Sequence, residues 1–330
     1  MPVVNIFGAG SMSKKLFLSV AMTTCNGERY ITEQLDSIAR QTRVPDELVV
    51  CDDRSDDRTT ALVEEFSRRA PFPVRLQINP VRLGSTRNFE TAIRACGGDI
   101  IFLCDQDDVW YPQKVARIEG CFIENPSAGA VFTNADVVDA DLRPSGLLLW
   151  KRVRFSEKEQ MQVAASDALS VLLKHRVVTG ATMAFRSAHR DLLLPIPTQW
   201  FHDAWIALLI GTASHLVPLP EPLIGYRQHG NNQVGVRRGN KRGKSCAEIY
   251  GPQVVGFELA IERLLKFSDD IADVGPKILR LEDKLDFSRT RAALPVARWR
   301  RIPSALRELA ASRYHRYGRG FSSFFKDVLR

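Results

Sequence analysis

The chain has 330 residues, 45% hydrophobic and 25% charged, which excludes whole-chain disorder and leaves room for one large α/β domain with an appendage or for two modest domains. No apolar run reaches the ~18 residues that a membrane-spanning helix needs. The best candidate, Ala204–Leu219, is broken by Gly211 and His215 and closes on Pro218 and Pro220. The net charge of +8 is localised: residues 287–330 carry eleven Lys and Arg against Glu308 and Asp327, and the remainder is close to neutral.

Residues 1–15 read as a loose leader. No basic stretch precedes its short apolar run, which argues against a secretory signal, and Met12 just before the first strong strand is expected to be the true start. Gly8-Ala9-Gly10 lacks the third glycine of a dinucleotide fingerprint and opens no helix, so that function is rejected. Leu16–Thr23 is a buried strand, broken by Asn26-Gly27. Glu28–Arg40 spaces its apolar residues for one helix face. Glu47–Cys51 is a second strand, and Ser55 and Asp56 offer N-caps for a helix carrying Leu62, Val63 and Phe66. Val74–Ile78, a helix over Ser85–Cys96, Ile100–Cys104, a helix from Pro112 to about Asn125, and Gly129–Thr133 continue the alternation. Such a pattern predicts βαβ units and a mainly parallel, Rossmann-like sheet flanked by helices. After residue 135 it weakens to an apolar segment at Val177–Phe185, a helix near Asp203–Ile210 and short strands at His215–Leu219 and Leu223–Tyr226. Residues 235–246 read as a mobile loop, and a helical, basic extension follows over 236–330. The six cysteines form no Cys-x-x-Cys pair and read as reduced thiols, most of them buried.

Ligands of open α/β sheets bind beyond the carboxyl ends of the strands. Three apolar runs here end in polar clusters: Thr23-Thr24-Cys25-Asn26-Gly27, Asp52-Asp53-Arg54-Ser55-Asp56-Asp57 and Asp105-Gln106-Asp107-Asp108. On one sheet edge these acids would repel one another unless something cationic sat among them. Asp105-x-Asp107 has a spacing that can turn two carboxylates toward one hard cation, Mg2+ or Mn2+. The same residues could instead cap the helix entered at Pro112.

Phe102-Leu103-Cys104-Asp105-Gln106-Asp107-Asp108-Val109-Trp110-Tyr111-Pro112 resembles the metal-binding segment of family-2 glycosyltransferases with the GT-A fold. The polar clusters after the first and second strands resemble that family's first strand end and nucleotide-binding turn. Thr179-Gly180-Ala181-Thr182-Met183-Ala184-Phe185 resembles its acceptor-side segment, and His202-Asp203-Ala204-Trp205 the segment bearing the catalytic base. Tyr226-Arg227-Gln228-His229-Gly230-Asn231-Asn232 is similar to a late segment of rhamnosyltransferase-like members. The matches keep family order over about residues 16–235.

The resemblance implies a GT-A catalytic domain over 16–235, with a nucleotide-binding half to about 135 and an acceptor half from 136. It implies an inverting, metal-dependent transfer of a hexose or deoxyhexose, rhamnose among the candidates, from a dTDP- or UDP-linked donor to a hydroxyl of a glycan or lipid-linked acceptor in cell-surface polysaccharide synthesis. Thr23, Asn26, Asp52, Asp53, Arg87, Asp105, Gln106, Gly180 and Arg227 are expected at the nucleotide sugar, Asp107 and His229 at the metal, and Asp203 as general base. Other readings stand beside these. Asp52 or Asp53 could cap a helix with Ser55, Asp203 could cap the helix that it opens, and His202 could orient Asp203 or merely pack. Trp110, Trp200 and Trp205 offer sugar faces or core packing.

The tail mixes its arginines with Trp299, Leu306, Phe321, Phe325 and Leu329, a pattern suited to a helix on an anionic membrane surface. The alternative is a solvated basic face. No nucleic-acid motif accompanies the charge. The expected location is cytoplasmic, peripheral on the inner face of the membrane. Two further function classes compete: a nucleotidyltransferase, which would want a Gly- and Lys-rich phosphate loop near the first strand, and a non-catalytic membrane-associated module of the same fold, which would lack the acids.

Overall fold

The first apolar runs fold as strands and helices in strict alternation: β1 (Leu18–Thr24), α1 (Ile31–Ala39), β2 (Glu47–Asp52), α2 (Thr59–Ser67), β3 (Val74–Ile78), α3 (Ser85–Ala95) and β4 (Ile100–Asp105). The structure, a computed structural model, describes residues 15–229 and 244–329. The expected leader and the expected loop at 235–246 fall almost wholly outside these residues. Every residue of β1 and β2 is buried, as strands covered by helices on both faces require. β1 pairs in parallel with β2 and β4, and β2 with β3. The register sets Thr23 beside both Cys51 and Asp105, and Thr24 beside Asp52. The three polar clusters therefore leave the sheet level with one another.

The chain continues through β5 (Val109–Trp110), α4 (Lys114–Glu124), β6 (Ala128–Val138), β7 (Pro144–Leu148), α5 (Leu149–Val153), α6 (Glu157–Ala164), α7 (Ala168–Lys174), β8 (Met183–Arg186), α8 (Arg190–Leu193), α9 (His202–Ala213) and β9 (His215–Arg227). Strand order is β3-β2-β1-β4-β8-β6-β9-β5, with β7 on β6. β6 and β9 run with β1–β4, while β8 and the short β5 and β7 run against their neighbours. The sheet is thus mixed, with its long strands parallel. The two short strands expected between 215 and 226 are one strand, β9. Its pairing with β6 slips between Thr133 and Asn134, opposite Leu219 and Pro222, where prolines remove ladder donors. α2 starts at Thr59 without a side-chain cap, because Ser55 is engaged by Asp52 instead.

Five helices complete the described chain: α10 (Cys246–Lys266), α11 (Val274–Ala292), α12 (Ile302–Ala310), α13 (Arg313–Tyr317) and α14 (Phe321–Leu329). One hydrophobic core runs from Val49 and Ile101 of the sheet through Ile206 and Leu209 of α9 to Phe257, Leu281 and Tyr314. A second fills the other face with Val20, Leu48, Phe102 and Phe122. A fully buried Leu or Phe contributes ~1.5–3 kcal/mol, and Phe257, Leu264, Leu281 and Phe287, all buried in the core shared with the sheet domain, help to hold the C-terminal helices on it.

Part of the tail's positive charge is neutralised internally. Arg291 pairs with Asp327, Arg313 with Asp283 and Glu308, and Arg316 with Asp283. Tyr314 and Tyr317 are core residues. In contrast Trp299, Leu306, Phe321, Phe325 and Leu329 are exposed, by 50% to 69%, with exposed Arg300, Arg307 and Lys326 beside them in the chain. Among the described residues no helix is long and apolar enough to cross a membrane. All six cysteines are free thiols, and only Cys25 is not buried.

Candidate active site

The ends of β1, β2 and β4 open into a cleft of about 790 Å3. Thr23, Asn26, Asp53, Arg87, Asp105, Gln106, Asp107, Gly180, Asp203 and His229 all line it. Acids from separate stretches of chain therefore share one space, with Asp105 feeling the charges of both Asp107 and Asp203.

The turn after β1 is built by its own side chains. Asn26 adopts φ 51°, donates its N–H to Ser55 Oγ and accepts from Asp56 N through Oδ1. Gln106 clamps Cys25, accepting from its N–H at 2.8 Å and donating to its carbonyl at 3.1 Å. Asp52 is buried, accepts from Thr24 Oγ1 and from Ser55 N and Oγ, and does not line the cleft; it organises the turn. Asp53 faces the cleft and accepts from Leu83 N, Gly84 N and Asn79 Nδ2. Gly84, at φ 78°, precedes α3, whose first turn brings Ser85, Thr86 and Arg87 to the cleft.

Three carboxyls, Asp105, Asp107 and Asp108, crowd the β4 end. Burial, then Asp107 and Asp203, raise the Asp105 carboxyl to about 7, against the pull of Lys114. Burial, then Asp107 and Asp105, raise Asp108 well above the usual carboxylate range. Asp108 Oδ1 accepts from Arg227 N, and its Oδ2 has no hydrogen-bond partner. Lys114 is buried over the Trp110 ring at 3.9 Å and donates to Ala181 O; burial lowers it to about 7.

Asp107 Oδ2 lies 2.8 Å from His229 Nε2, and the His229 ring stacks on Tyr30 at 4.7 Å. Among the described residues no group of three or more His, Cys, Asp or Glu forms a ready metal cage. The acids still suit a divalent ion. Asp107 and His229, if both held one ion, would leave room for phosphate oxygens and water, which Mg2+ and Mn2+ prefer to a complete protein cage, and a cation there would relieve the repulsion felt by Asp105 and Asp108.

Arg227, expected at a phosphate, does not line the cleft. It is 1% exposed, donates to Asp107 O at 2.6 Å and to Ala140 O at 2.5 Å, and pairs with Glu33. The guanidinium is held by protein acceptors and ties the Asp107 loop to Ala140 and Glu33. Asp203 stands in the first turn of α9, accepting from Gly180 N at 3.2 Å and Ala204 N at 2.7 Å. His202 stacks on Phe89 at 3.8 Å with Nε2 buried and unpartnered; burial lowers its pKa. It packs beneath Asp203 rather than bonding to it. Trp110 and Trp205 are core residues, whereas Trp200 lines the cleft. Arg29, Tyr30, Asn88 and Gln199 also line it and carried no sequence signal beyond ordinary helix or loop composition.

The family model for glycosyl transferase family 2 matches residues 19–188. The dTDP-rhamnosyl transferase RfbG of Shigella flexneri is 28% identical over 232 residues, covering 65% of this chain and 73% of that protein. For other curated relatives of comparable similarity the aligned part takes in 59% to 66% of their length, less than two thirds. S. aureus TarS (residues 1–349), solved with UDP-GlcNAc, superposes with a TM-score of 0.56 at 18% identity over 89% of this chain and 81% of that one. The mannosyltransferase PcManGT from Pyrobaculum calidifontis, solved with GDP-Man and Mn2+, gives 0.55 at 22% identity over 91% and 76%. These likenesses establish the fold, which is of the GT-A kind.

Proposed function

The chain belongs to glycosyl transferase family 2, and from that premise we propose that it transfers a hexose or deoxyhexose, rhamnose among the candidates, from a dTDP- or UDP-linked donor to a hydroxyl of a glycan or lipid-linked acceptor in cell-surface polysaccharide synthesis, with inversion at the anomeric carbon. The observation that carries this reading is the meeting of Asp53, Asp105, Asp107 and Asp203 in one cleft. The names of RfbG and the ligand of TarS support a dTDP or UDP donor.

Asp53 accepts from the pyrimidine N–H, its carboxylate already aimed by the Leu83 and Gly84 amides. Thr23, Asn26 and Asp105 border the ribose and diphosphate, and Arg87 at the start of α3 offers charge to the phosphates. Asp107 and His229 would hold Mg2+ or Mn2+, which when bound stabilises the charge that builds on the departing diphosphate. Gly180 N–H orients Asp203. Asp203 takes the proton of the acceptor hydroxyl as that oxygen bonds to the anomeric carbon and the bond to the diphosphate breaks. One base and one displacement invert the centre, whereas two displacements would retain it.

The exposed Trp299, Leu306, Phe321, Phe325 and Leu329 with their neighbouring cations support seating of the C-terminal helices on an anionic membrane, at the cytoplasmic face where nucleotide sugars are present. A panel of nucleotide sugars assayed with Mn2+, Mg2+ or chelator, reading released nucleoside diphosphate, tests the whole reading. At least one dTDP- or UDP-sugar should turn over only with metal; a panel inert with both metals and every acceptor would remove it.

A further inference from the structure

A second cavity, of about 710 Å3, adjoins the cleft and shares Gln199, Trp200 and Phe201 with it. Ala204, next to Asp203, is in its wall. The C-terminal helices close it through Ile249, Pro252, Phe257, Lys284 and Arg319.

Its lining charge differs from the cleft's, where Arg29 and Arg87 stand among the acids. Asp53, Asp105, Asp107 and Asp203 line the cleft. Arg152, Arg154, Lys174, Arg176, Lys284 and Arg319 line the second cavity, and no Asp or Glu does so among the described residues. Lys174 and His175 share one acid, Glu159, at 3.3 and 3.0 Å. Arg152 donates to Gln228 Oε1. Arg176 lies over the Phe201 ring at 4.4 Å. Lys284 is buried, donates to Tyr317 O, and sits among the Phe257, Phe287 and Tyr317 rings at 5.5–5.7 Å. Between the cations the wall is apolar, with Leu172, Val177, Val178, Leu208 and Phe257. Cations gathered against a low-dielectric wall create a field that favours an anion. The apolar surface beside them favours one that carries a hydrocarbon chain.

We infer that this cavity is the anion subsite of the acceptor, taking a phosphate or diphosphate ester whose head meets Arg152, Arg154 and Arg176 and whose apolar chain runs along Leu172, Val178, Leu208 and Phe257. This rests on the glycosyltransferase reading above and adds the acceptor's chemistry to it. Continuity with Asp203 through Ala204 sets the ester beside the hydroxyl that is to react. The two anions are also kept apart in kind. The donor's diphosphate enters a cleft where four acids outnumber Arg29 and Arg87 and a metal cation would be needed, whereas the acceptor's ester meets cations supplied by the protein. Arg319 in the cavity wall lies two residues before Phe321, which is 58% exposed on α14.

The test is calorimetric titration of the full chain with farnesyl diphosphate, inorganic pyrophosphate, and UDP or dTDP with Mn2+. The variants are Arg154→Glu/Arg176→Glu, its neutral counterpart Arg154→Gln/Arg176→Gln, and Asp107→Ala. Both arginines are exposed, so folding, checked by circular dichroism, should survive their replacement. Farnesyl diphosphate should bind the wild type, lose about tenfold or more in affinity in the charge reversal and less in the neutral variant, and keep its affinity in Asp107→Ala. Nucleotide binding should follow the opposite pattern. Farnesyl diphosphate binding more tightly than pyrophosphate supports a lipid-linked ester; equal binding overturns the apolar path and identifies a soluble phosphorylated acceptor at the anion subsite. Wild-type protein that binds neither compound, or a charge reversal that leaves both affinities unchanged, overturns the inference. Failure of the donor reading would show separately, as absent nucleotide binding.

Discussion

His229 Nε2 stands 2.8 Å from Asp107 Oδ2, across 122 residues of sequence. The contact forms because β5, directly after the Asp107 loop, pairs antiparallel with the end of β9, Val109 beside Gly225, and Tyr30 stacks on the imidazole from α1's entry. Two such groups in contact act on a cation as a unit. His229→Ala should therefore raise the half-saturating Mn2+ concentration for nucleoside diphosphate release by about 10- to 100-fold, and the Asp107→Ala/His229→Ala pair should cost far less than the sum of the single losses. A His229→Ala enzyme with an unaltered metal requirement would remove the histidine from the metal site.

Asp203→Asn keeps the acceptor for Gly180 N–H and removes the base. Transfer should fall by about 100- to 10,000-fold, while nucleotide affinity, followed by titration, stays within about twofold. Full turnover in this variant would place the base elsewhere.

Gly180 is required by contact. A Cβ there would lie 2.7 Å from His202 Nε2 and 3.5 Å from Asp203 Cβ, and His202 is pinned beneath by Phe89. Gly180→Ala should cost about 1–3 kcal/mol in denaturant unfolding. It should also displace Asp203 and lower turnover. Gly180→Ala/His202→Ala should cost less than the two singles together, because the colliding ring is gone; strict additivity would show that the clash is not the cause.

Lys284 gives stability a pH slope. Burial, then Arg291, lower it from 10.5 to about 7. Between those two values the unfolded chain holds a proton that the folded chain does not, so unfolding takes up protons and stability from this group rises with pH across the window. Below it the penalty of burying the charge is fully present. Lys284→Met should therefore raise Tm most at pH 6–7, and the gain should shrink toward pH 10. A gain independent of pH would mean that packing, not charge, sets it.

The exposed tail residues test membrane seating better than truncation does, since removing residues 296–330 would also strip the buried Tyr314 and Tyr317 from the core. Trp299→Asp/Phe321→Asp/Phe325→Asp should leave the fold intact and shift the protein off sedimented vesicles containing phosphatidylglycerol. Unchanged cosedimentation would locate the contact elsewhere.

The first half of the fold was legible because parallel strands buried on both faces, such as Leu18–Thr24 and Ile100–Asp105, show as unbroken apolar runs ending in polar clusters. The second half was less so. β9 carries Pro218, Pro220 and Pro222 and reads as two fragments, and only its pairing with the long β6 joins them. Site residues on strand ends were visible in the sequence; those whose role depends on packing were not. Arg227 looks like a phosphate ligand until its donors are seen to be taken up by Asp107 O, Ala140 O and Glu33. Asp52 and Asp53 are equivalent as letters, yet one closes a turn and the other faces the cleft. The second cavity draws its basic residues from four separated segments, with no local motif to mark it.

Mn2+ binding followed by electron paramagnetic resonance, with and without UDP or dTDP, tests the gathering of carboxylates, cation and diphosphate most directly. One of these nucleotides should tighten Mn2+ binding to the wild type by about tenfold or more, and Asp107→Ala should abolish the enhancement. Nucleotide binding that is indifferent both to Mn2+ and to the loss of the Asp107 carboxylate would contradict the account.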